Sequence, residues 1–398
     1  LTDLQIYLIL QETEQRMTEE HLSSFHPPLP PTTEDMQVSW LRLLRSRRVG
    51  VTTFFRLLNE HGSAEAALEA LPEVARAAGV QKYCVCPEGV VHAELKAGEK
   101  AGARLIRFGT ADYPTALCDI PDPPPLLWAI GDLSLLHKPM VALVGARNAS
   151  SLGTRMAKSL AKGLGEDGFT VVSGLARGVD TAAHHAALET GTIAVQAGGV
   201  DVLYPAENAE LAQQIGKTGL RLSEQPMGLQ PIARHFPKRN RIISGLSQAV
   251  VVVEAAAKSG SLITARNALD QGRDVLAVPG HPFDARASGC NMLIRDGATL
   301  VRGSADVIEA VQRPAAPELP LDPTPEPSPQ PRRSLQQTAA LHSEILARIG
   351  PSPVAEDQLI RDLAAPAQSV APVLVDLEMN GLIERQAGGL LARVLAQK

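Results

Sequence analysis

The chain has 398 residues, 44% of them hydrophobic, and carries a formal net charge of −5. This size allows two to four globular domains, and the negative balance excludes a histone-like protein coated with positive charge. No apolar run is long enough to span a membrane and the first residues lack a signal-peptide pattern, so we expect a cytoplasmic protein without membrane contacts. The four cysteines fit neither a zinc spacing nor a disulfide framework and are expected to be reduced.

The first third of the chain predicts a helical domain followed by an extended connector. Residues 1–37 are interpreted as a flexible N-terminal extension, and residues 38–109 as a small helical domain whose amphipathic pieces are broken at Gly50 and Gly62. The R-V-G-V-T turn between two of these helices resembles a helix-hairpin-helix turn, although a plain helix–helix turn is favoured. Asp112–Gly131 is rich in proline, which disfavours both a helix and a central strand, so an extended connector is predicted.

From Met140 onward, short β-branched runs alternate with helical segments. This alternation predicts a parallel sheet covered by helices on both faces, and we assign residues 110–311 to this domain. In such a sheet, ligands bind at the carboxyl ends of the strands. The predicted strands are Val141–Val144, Thr170–Ser173, Thr192–Gln196, Leu220–Ser223, Val250–Val253, Val275–Val278 and Thr299–Val301.

The C-terminal part predicts a linker and a third domain. Residues 312–334 are rich in proline and poor in hydrophobic residues, which is typical of a semi-extended linker. Residues 335–398 predict three helices and then a hairpin with Gly388-Gly389 at its turn, an order that suggests a winged helix. The third helix, Pro366–Asn380, contains no Lys or Arg, so we do not expect it to contact phosphate.

The most distinctive stretch is His235–Gly245, with the sequence H-F-P-K-R-N-R-I-I-S-G. No Asp or Glu occurs between Glu224 and Glu254, so the positive potential of this stretch is not diluted by nearby acids in the sequence. Pro237 is well placed as the first residue of a helix, and Phe236 offers a face for stacking a base. Taken alone, a solvated basic loop is an equally good interpretation. Four cationic residues lie within this stretch or directly before it: Arg234, Lys238, Arg239 and Arg241.

Three other predicted strand ends carry glycine with arginine or serine, and they should face the same crevice. The first strand leads into G-A-R-N-A-S-S-L-G, where Ser150 or Ser151 can cap the next helix. The second leads into S-G-L-A-R-G-V-D, and the strand that ends at Glu254 leads into a serine-rich helix start. Each glycine alone is explained equally well by a tight turn, but together with the basic stretch these motifs predict a site that cradles phosphate.

Enzymatic motifs are missing from the sequence. The first turn has no G-x-G-x-x-G and there is no P-loop, so neither a dinucleotide cofactor nor ATP hydrolysis is expected, and no metal site is predicted. Asp180 and His184 lie one helical turn apart, but without a nucleophile nearby a capping Asp and a packed His are favoured. Glu254 is either a base or an ion-pair partner of arginines. We therefore predict a protein that is not an enzyme.

The motifs in combination resemble the DNA-processing protein A family (DprA, also called Smf). The match rests on V-G-A-R, S-G-L-A-R-G-V-D, A-G-G-V-D-V-L-Y-P, F-P-K-R-N-R-I-I-S-G-L-S, S-G-S-L-I-T-A and G-C-N-M-L-I-R-D-G-A. The resemblance implies an extended Rossmann-like domain, flanked by a small N-terminal helical (SAM/HhH-like) domain and a C-terminal winged-helix-like domain. It also implies single-stranded DNA binding, a homodimer formed through the Rossmann-like domain, and loading of the RecA recombinase onto DNA during natural transformation.

Carried over to this sequence, the resemblance implies a DNA pocket in which arginines and Lys238 neutralise phosphates and Phe236 stacks or wedges. Two arginines have an alternative, because Arg239 and Arg241 could instead pair with Glu254 or Glu224. The rival function is a nucleotide-binding enzyme that cleaves a ribosyl bond, although the P-G-G-x-G-T loop typical of such enzymes is missing from Glu254–Ala265. The predicted DNA-binding residues are Gly145, Arg147, Ser173, Gly174, Arg177, Gly178, Phe236, Lys238, Arg239, Asn240 and Arg241.

Overall fold

A computed structural model describes residues 33–312, 335–350, 353–363, 365–386 and 390–394. The chain divides into two compact units, Leu1–Pro314 and Ala315–Lys398. Nearly all of the predicted N-terminal extension and of the proline-rich linker lies outside the described residues. Within the described ranges, no helix is both long and apolar enough to cross a membrane.

The described part of the first unit begins with a group of four helices. Thr33 accepts a hydrogen bond from a first-turn backbone N–H and caps the first helix, and Ser63 caps the third in the same way. Gly62 ends the second helix with a φ of 76°, a left-handed conformation that glycine adopts without a steric penalty. The helices are α1 (Glu34–Arg45), α2 (Val51–His61), α3 (Ala64–Ala77) and α4 (Glu88–Lys100).

A nine-stranded sheet forms the centre of this unit, in the order β1-β2-β6-β5-β4-β3-β7-β8-β9. All strands from β3 to β9 run parallel, whereas β1 and β2 are antiparallel to their neighbours. The seven predicted strands are confirmed to within one residue at either end. The strands are β1 (Arg104–Arg107), β2 (Leu126–Gly131), β3 (Met140–Val144), β4 (Thr170–Ser173), β5 (Thr192–Val195), β6 (Leu220–Ser223), β7 (Ala249–Val252), β8 (Asp274–Ala277) and β9 (Thr299–Leu300).

The strand order places a topological switch point beside β3. From β3 the chain moves outward through β4, β5 and β6, and it then returns to the other side of β3 with β7, β8 and β9. Crossovers that leave β3 and β7 therefore lie on opposite faces of the sheet. A crevice opens between them at the carboxyl ends of the strands, which is where ligands bind in this class of fold.

The prediction of a connector for all of Asp112–Gly131 is wrong at its C-terminal end. Leu126–Gly131 is strand β2, which pairs with β1 on one side and with β6 on the other. The prolines all precede Leu126, so every residue of the strand keeps the N–H that a sheet requires. Helix α1 begins at Glu34 and the first strand of the sheet begins at Arg104.

A buried carboxylate connects the helical region to this part of the sheet. Glu94 on α4 accepts hydrogen bonds from Trp128 Nε1 on β2 at 2.8 Å and from both Nε and Nη2 of Arg45 on α1. Only 8% of Glu94 is exposed, and a two-pronged arginine pair is the geometry that stabilises such a buried charge. The helical region and the sheet therefore form one packed unit.

Side chains of the sheet alternate between two cores. On β3, Met140, Ala142 and Val144 belong to the core that also contains the N-terminal helices, whereas Val141 and Leu143 face the opposite core. The first face is covered by α8 (His235–Leu246), α9 (Ser261–Asp270) and α10 (Ser288–Arg295), and the second by α5 (Ser151–Glu166), α6 (Val179–Ala186) and α11 (Ser304–Gln312). A smaller cluster lies under α7 (Ala209–Thr218).

The second unit has its own core and agrees with the predicted winged helix. It contains α12 (Leu335–Arg348), α13 (Glu356–Asp362) and α14 (Ala367–Met379). Three antiparallel strands, β10 (Val354–Ala355), β11 (Ile383–Gln386) and β12 (Leu390–Arg393), form a sheet in the order β10-β12-β11. Gly388-Gly389, the predicted hairpin turn, lies outside the described residues.

Candidate functional site

A cleft of about 460 Å³ opens at the carboxyl edge of the sheet, beside the switch point. It brings together Arg147, Gly174, Arg177 and Phe236 of the predicted site, which come from loops after β3 and β4 and from the first turn of α8. The remaining cleft residues come mainly from the segments that follow β5 and β6. They are Leu175, Ala176, Gln196, Ala197, Gly198, Val202, Leu203, Tyr204, Pro205, Ala206, Glu207, Gln230 and Pro231.

Two aromatic rings and two cations stand at the mouth of this cleft. The guanidinium carbon of Arg147 lies 5.0 Å from the ring centroid of Phe236, which is a cation–π contact. The ring of Tyr204 lies 5.9 Å from that of Phe236 and is 47% exposed. Arg177 is also exposed and lies 3.7 Å from Glu207, at a surface position where such a pair contributes little. The cleft therefore offers exposed positive charge beside two aromatic rings.

Helix α8 begins two residues earlier than predicted. His235 is its first residue, so Pro237 occupies the third position instead of the first. The first-turn N–H groups of a helix have no intrahelical partner, so proline is accommodated there without losing a hydrogen bond. Phe236 is consequently part of the helix, and its ring is held beside Arg147 by a regular backbone rather than by a loop.

Arg239 does not face solvent, in contrast to the expectation that it neutralises phosphate. Its guanidinium is buried beneath the β4–α6 loop, where Nη1 donates to the carbonyl oxygens of Gly174 (2.7 Å) and Val195. Burial lowers the pKa of Arg239 to about 10, with the nearby Asp180 acting in the opposite direction. The side chain therefore supports the floor of the cleft from below.

Arg241 is also buried and paired, which agrees with the alternative for this residue. It pairs with Glu224, and its Nε lies 2.9 Å from Asp122. Asp122 comes from the proline-rich segment far away in sequence, so the positive stretch is less isolated from acids than the sequence suggested. Lys238 is exposed but lines a separate cavity beside Asp122 rather than the cleft.

Three amides of the β4–α6 loop, those of Gly174, Leu175 and Ala176, are already occupied and are not free to cradle a phosphate. Asp180 accepts hydrogen bonds from the N–H groups of Gly174 at 3.1 Å and Ala176 at 3.2 Å. His184 Nε2 accepts from Leu175 N at 3.3 Å, and its Nδ1 lies 2.7 Å from the Thr192 hydroxyl. His184 is packed as predicted. The capping role predicted for Asp180 is wrong, because Gly178 precedes α6 without a side-chain cap and Asp180, the second residue of the helix, binds amides of the preceding loop instead.

Burial shifts the pKa values of both Asp180 and His184. It raises the pKa of Asp180, an effect that the charge of Arg239 and the loop N–H groups oppose. It lowers the pKa of His184 to about 3, and the neighbouring positive charge of Arg239 acts in the same direction. His184 is therefore neutral when the protein is folded at physiological pH, which its role as acceptor for Leu175 N requires.

The neutral His184 makes stability depend on pH. Its pKa is lower in the folded than in the unfolded chain, so its contribution is complete above the unfolded pKa near 6.5 and declines as the pH falls. Between pH 6 and 4 the wild type should lose about 1.4 kcal/mol per pH unit relative to His184→Gln. Urea unfolding at several pH values measures this difference. The exposed His185 provides the control. If the difference in unfolding free energy between wild type and His185→Gln changed with pH as steeply as that for His184→Gln, the assignment would be contradicted.

The other residues that the sequence singled out at these strand ends form hydrogen bonds within the protein or line a second, smaller cavity. Ser150 caps α5 by accepting from Gly153 N at 3.0 Å, and Glu254 accepts from Ser150 N and Ser150 Oγ. Glu254 is therefore neither an ion-pair partner of an arginine in the described residues nor a base directed at the cleft. Ser173 donates to Leu143 O and is buried. Gly145, Arg147 and Asn240 line a cavity of about 50 Å³ at the switch point.

Two residues of the cleft were missed by the sequence analysis. Tyr204 provides the second aromatic ring at the mouth, and Gln196 lies at the carboxyl end of β5. The signal that could have identified Tyr204 is its position in A-G-G-V-D-V-L-Y-P, which follows a predicted strand as the other motifs do. Gln196 had no signal beyond its place at the end of that strand.

Comparisons with known proteins agree with this architecture. Residues 104–312 match the family described as DNA recombination-mediator protein A, residues 34–97 match a DprA-like N-terminal HHH domain, and residues 326–389 match a DprA winged helix domain. The chain is 49% identical over 198 residues to DNA processing protein DprA of Streptococcus pneumoniae, covering 49% of this chain and 70% of that protein. It is 37% identical over 318 residues to protein Smf of Escherichia coli, covering 78% and 82%.

A solved structure supports the same relationship. The X-ray structure of DNA processing protein A from Streptococcus pneumoniae superimposes with a TM-score of 0.59 at 37% sequence identity, covering 68% of this chain and 96% of that one. The main family match spans the whole nine-stranded sheet, including β1 and β2. Neither of these strands was predicted from the sequence. The chain therefore belongs to the DNA recombination-mediator protein A family, whose relatives carry the names DprA and Smf.

Proposed function

We propose that this protein binds single-stranded DNA in the cleft at the carboxyl edge of its sheet and acts without catalysing a reaction. The observation that carries the proposal is the stacking of Arg147 on Phe236 at the mouth of the cleft. A guanidinium there can bind a phosphate, while the adjacent rings of Phe236 and Tyr204 can stack on bases. Bases are exposed for stacking in a single strand and are inaccessible within a duplex.

The charges around the cleft support this choice over the rival enzyme that cleaves a ribosyl bond. Such an enzyme needs a carboxylate or imidazole free to act on the substrate. Asp180 and His184, which lie beneath the cleft, are buried and engaged by loop amides, and Glu254 is engaged by Ser150. Among the described residues of the cleft, the remaining acid is Glu207, which is exposed and close to Arg177.

Membership of the family extends the proposal to a cellular role. We infer that the protein is a cytoplasmic homodimer, formed through the Rossmann-like domain, that promotes loading of RecA onto single-stranded DNA during uptake and recombination. Light scattering measures the dimer, and a mass equal to one chain would contradict it. The rate of RecA filament formation on a long single strand, with and without this protein, measures loading. An Arg147→Ala variant that accelerates filament formation as the wild type does would contradict the use of this cleft.

The direct test of the cleft is binding of a labelled single-stranded oligonucleotide over a range of salt concentrations. Arg147→Ala should weaken binding about tenfold and reduce the salt slope by about 0.7, the value for one phosphate contact on a single strand. Arg155→Ala is the matched control, since Arg155 is also exposed but lies outside the cleft on α5. Equal affinities and slopes for wild type and Arg147→Ala would contradict the proposal.

A further inference from the structure

Gln196 holds a fixed orientation at the inner end of the cleft. The residue is only 5% exposed and lines the cleft at the carboxyl end of β5. Its side-chain Nε2 donates to Val202 O at 2.7 Å, and its backbone N donates to Leu222 O at 2.7 Å. The backbone and the side chain of Gln196 are therefore both held by hydrogen bonds. Rotating the side-chain amide by 180° would put Oε1 where Nε2 lies and would break the hydrogen bond to Val202 O.

The other polar atom of this amide, Oε1, is buried and has no hydrogen-bond partner in the described part of the chain. Buried polar atoms in native proteins nearly always have a partner, so an acceptor without one calls for a donor from outside the described residues. Because Nε2 is committed to Val202, Oε1 is an acceptor held in place in a residue that lines the cleft. A ligand that enters the cleft with an N–H group would provide the missing donor.

The dimensions and walls of the cleft suit a flat aromatic ligand. Its volume is about 460 Å³, and its apolar surface comes from Leu175, Tyr204 and Phe236 among others. A nucleobase combines a π-face for such walls with N–H groups along one edge. We propose that Gln196 Oε1 accepts a hydrogen bond from an N–H of one base of the bound strand. This inference rests on the proposed binding of single-stranded DNA.

This contact would recognise the pairing state of DNA rather than its sequence. Adenine, cytosine, guanine and thymine each carry at least one N–H donor on the edge used for Watson–Crick pairing. A single acceptor can therefore bind any of them, so little sequence preference results. In a duplex the same edge faces the complementary base, and the donor is not available. Gln196 accordingly favours a single strand over a duplex without discriminating among the four bases.

The test uses oligothymidylate and the same oligonucleotide with N3-methylthymine at every position. Thymine has one N–H group, at N3, and methylation removes it while the ring can still stack. Wild type should bind the methylated strand about tenfold more weakly, which corresponds to the loss of one hydrogen bond to a buried acceptor. Gln196→Met should bind both strands equally, about as weakly as wild type binds the methylated one. Gln213→Met, at an exposed position on α7 outside the cleft, should discriminate as wild type does.

The outcomes separate this inference from the proposed function. Equal binding of both oligonucleotides by wild type, together with weaker binding by Arg147→Ala, would overturn the role of Gln196 and leave the cleft as the DNA site. Failure of wild type to bind either strand would overturn both. The comparison of two ligands on the wild type does not depend on any variant folding, and thermal unfolding establishes that Gln196→Met is folded.

Discussion

Replacing Gly178 by alanine is expected to lower the free energy of unfolding by about 4 kcal/mol, which combines left-handed backbone strain with a steric clash. Gly178 has a φ of 78°, and a Cβ there would collide with Ala146 O and lie 2.8 Å from the carbonyl atoms of Arg147. The atoms that clash with the new Cβ all belong to the backbone, so the clash cannot be relieved by moving a flexible side chain. The loop that carries Arg147 must shift, and affinity for single-stranded DNA should fall together with stability.

Gly272 provides the matched control for this change. Its φ of 69° is also left-handed, but a Cβ at this position meets no atom within 4 Å. Gly272→Ala should therefore cost only the backbone strain, about 1–2 kcal/mol, and should leave DNA affinity unchanged. Guanidinium unfolding and oligonucleotide binding of both variants measure the two effects. Equal losses of stability in Gly178→Ala and Gly272→Ala would mean that the close contact of Gly178 with the loop of Ala146 and Arg147 contributes nothing to the effect.

Arg241→Ala should lower the free energy of unfolding by about 4 kcal/mol, because it leaves Glu224 buried without its partner. The side chains of Arg241 and Glu224 are only 11% and 12% exposed, so water cannot replace the lost charge. Burial already raises the pKa of Glu224, and Arg241 is the main influence that opposes this rise. The exposed pair of Lys162 and Glu166 is the control, and Lys162→Ala should change stability by less than about 0.5 kcal/mol.

The double variant Arg241→Leu, Glu224→Leu separates pairing from packing. Replacing both members of a buried ion pair with apolar side chains commonly restores most of the stability that a single replacement removes. We therefore expect the double variant to lie within about 1.5 kcal/mol of wild type in urea unfolding. A double variant that loses as much stability as Arg241→Ala would show that the arginine acts through contacts other than its pairing with Glu224.

The parallel part of the sheet was predictable because its strands are covered on both faces. Runs such as Val141–Val144 and Val250–Val253 are apolar throughout and lie between helical segments, a pattern with few alternatives. Strand β1 has no comparable signal, since Arg104–Arg107 is a four-residue R-L-I-R sequence at the edge of the sheet. Strand β2 was hidden by prolines that precede it but never enter it.

The candidate site was predictable in position but not in the roles of its arginines. The alternation of strands and helices located Arg147, Arg177 and Phe236 correctly at one edge of the sheet. Whether an arginine faces solvent depends on acids and carbonyl groups that arrive from elsewhere in the chain. Asp122 approaches Arg241 across more than one hundred residues, and Arg239 reaches carbonyl oxygens of two other strand ends. No local sequence pattern contains those contacts.

The internal hydrogen bonds of the β4–α6 loop have a consequence for competition in the cell. Free nucleotides are abundant there, and a loop with open amides would bind their phosphates tightly. Asp180 and His184 occupy the amides of Gly174, Leu175 and Ala176, so a mononucleotide is held by side chains of the cleft without these three amides. A polymer gains the same modest contacts at several nucleotides along its length. We therefore expect the cleft to remain available to DNA even when free nucleotides greatly outnumber it.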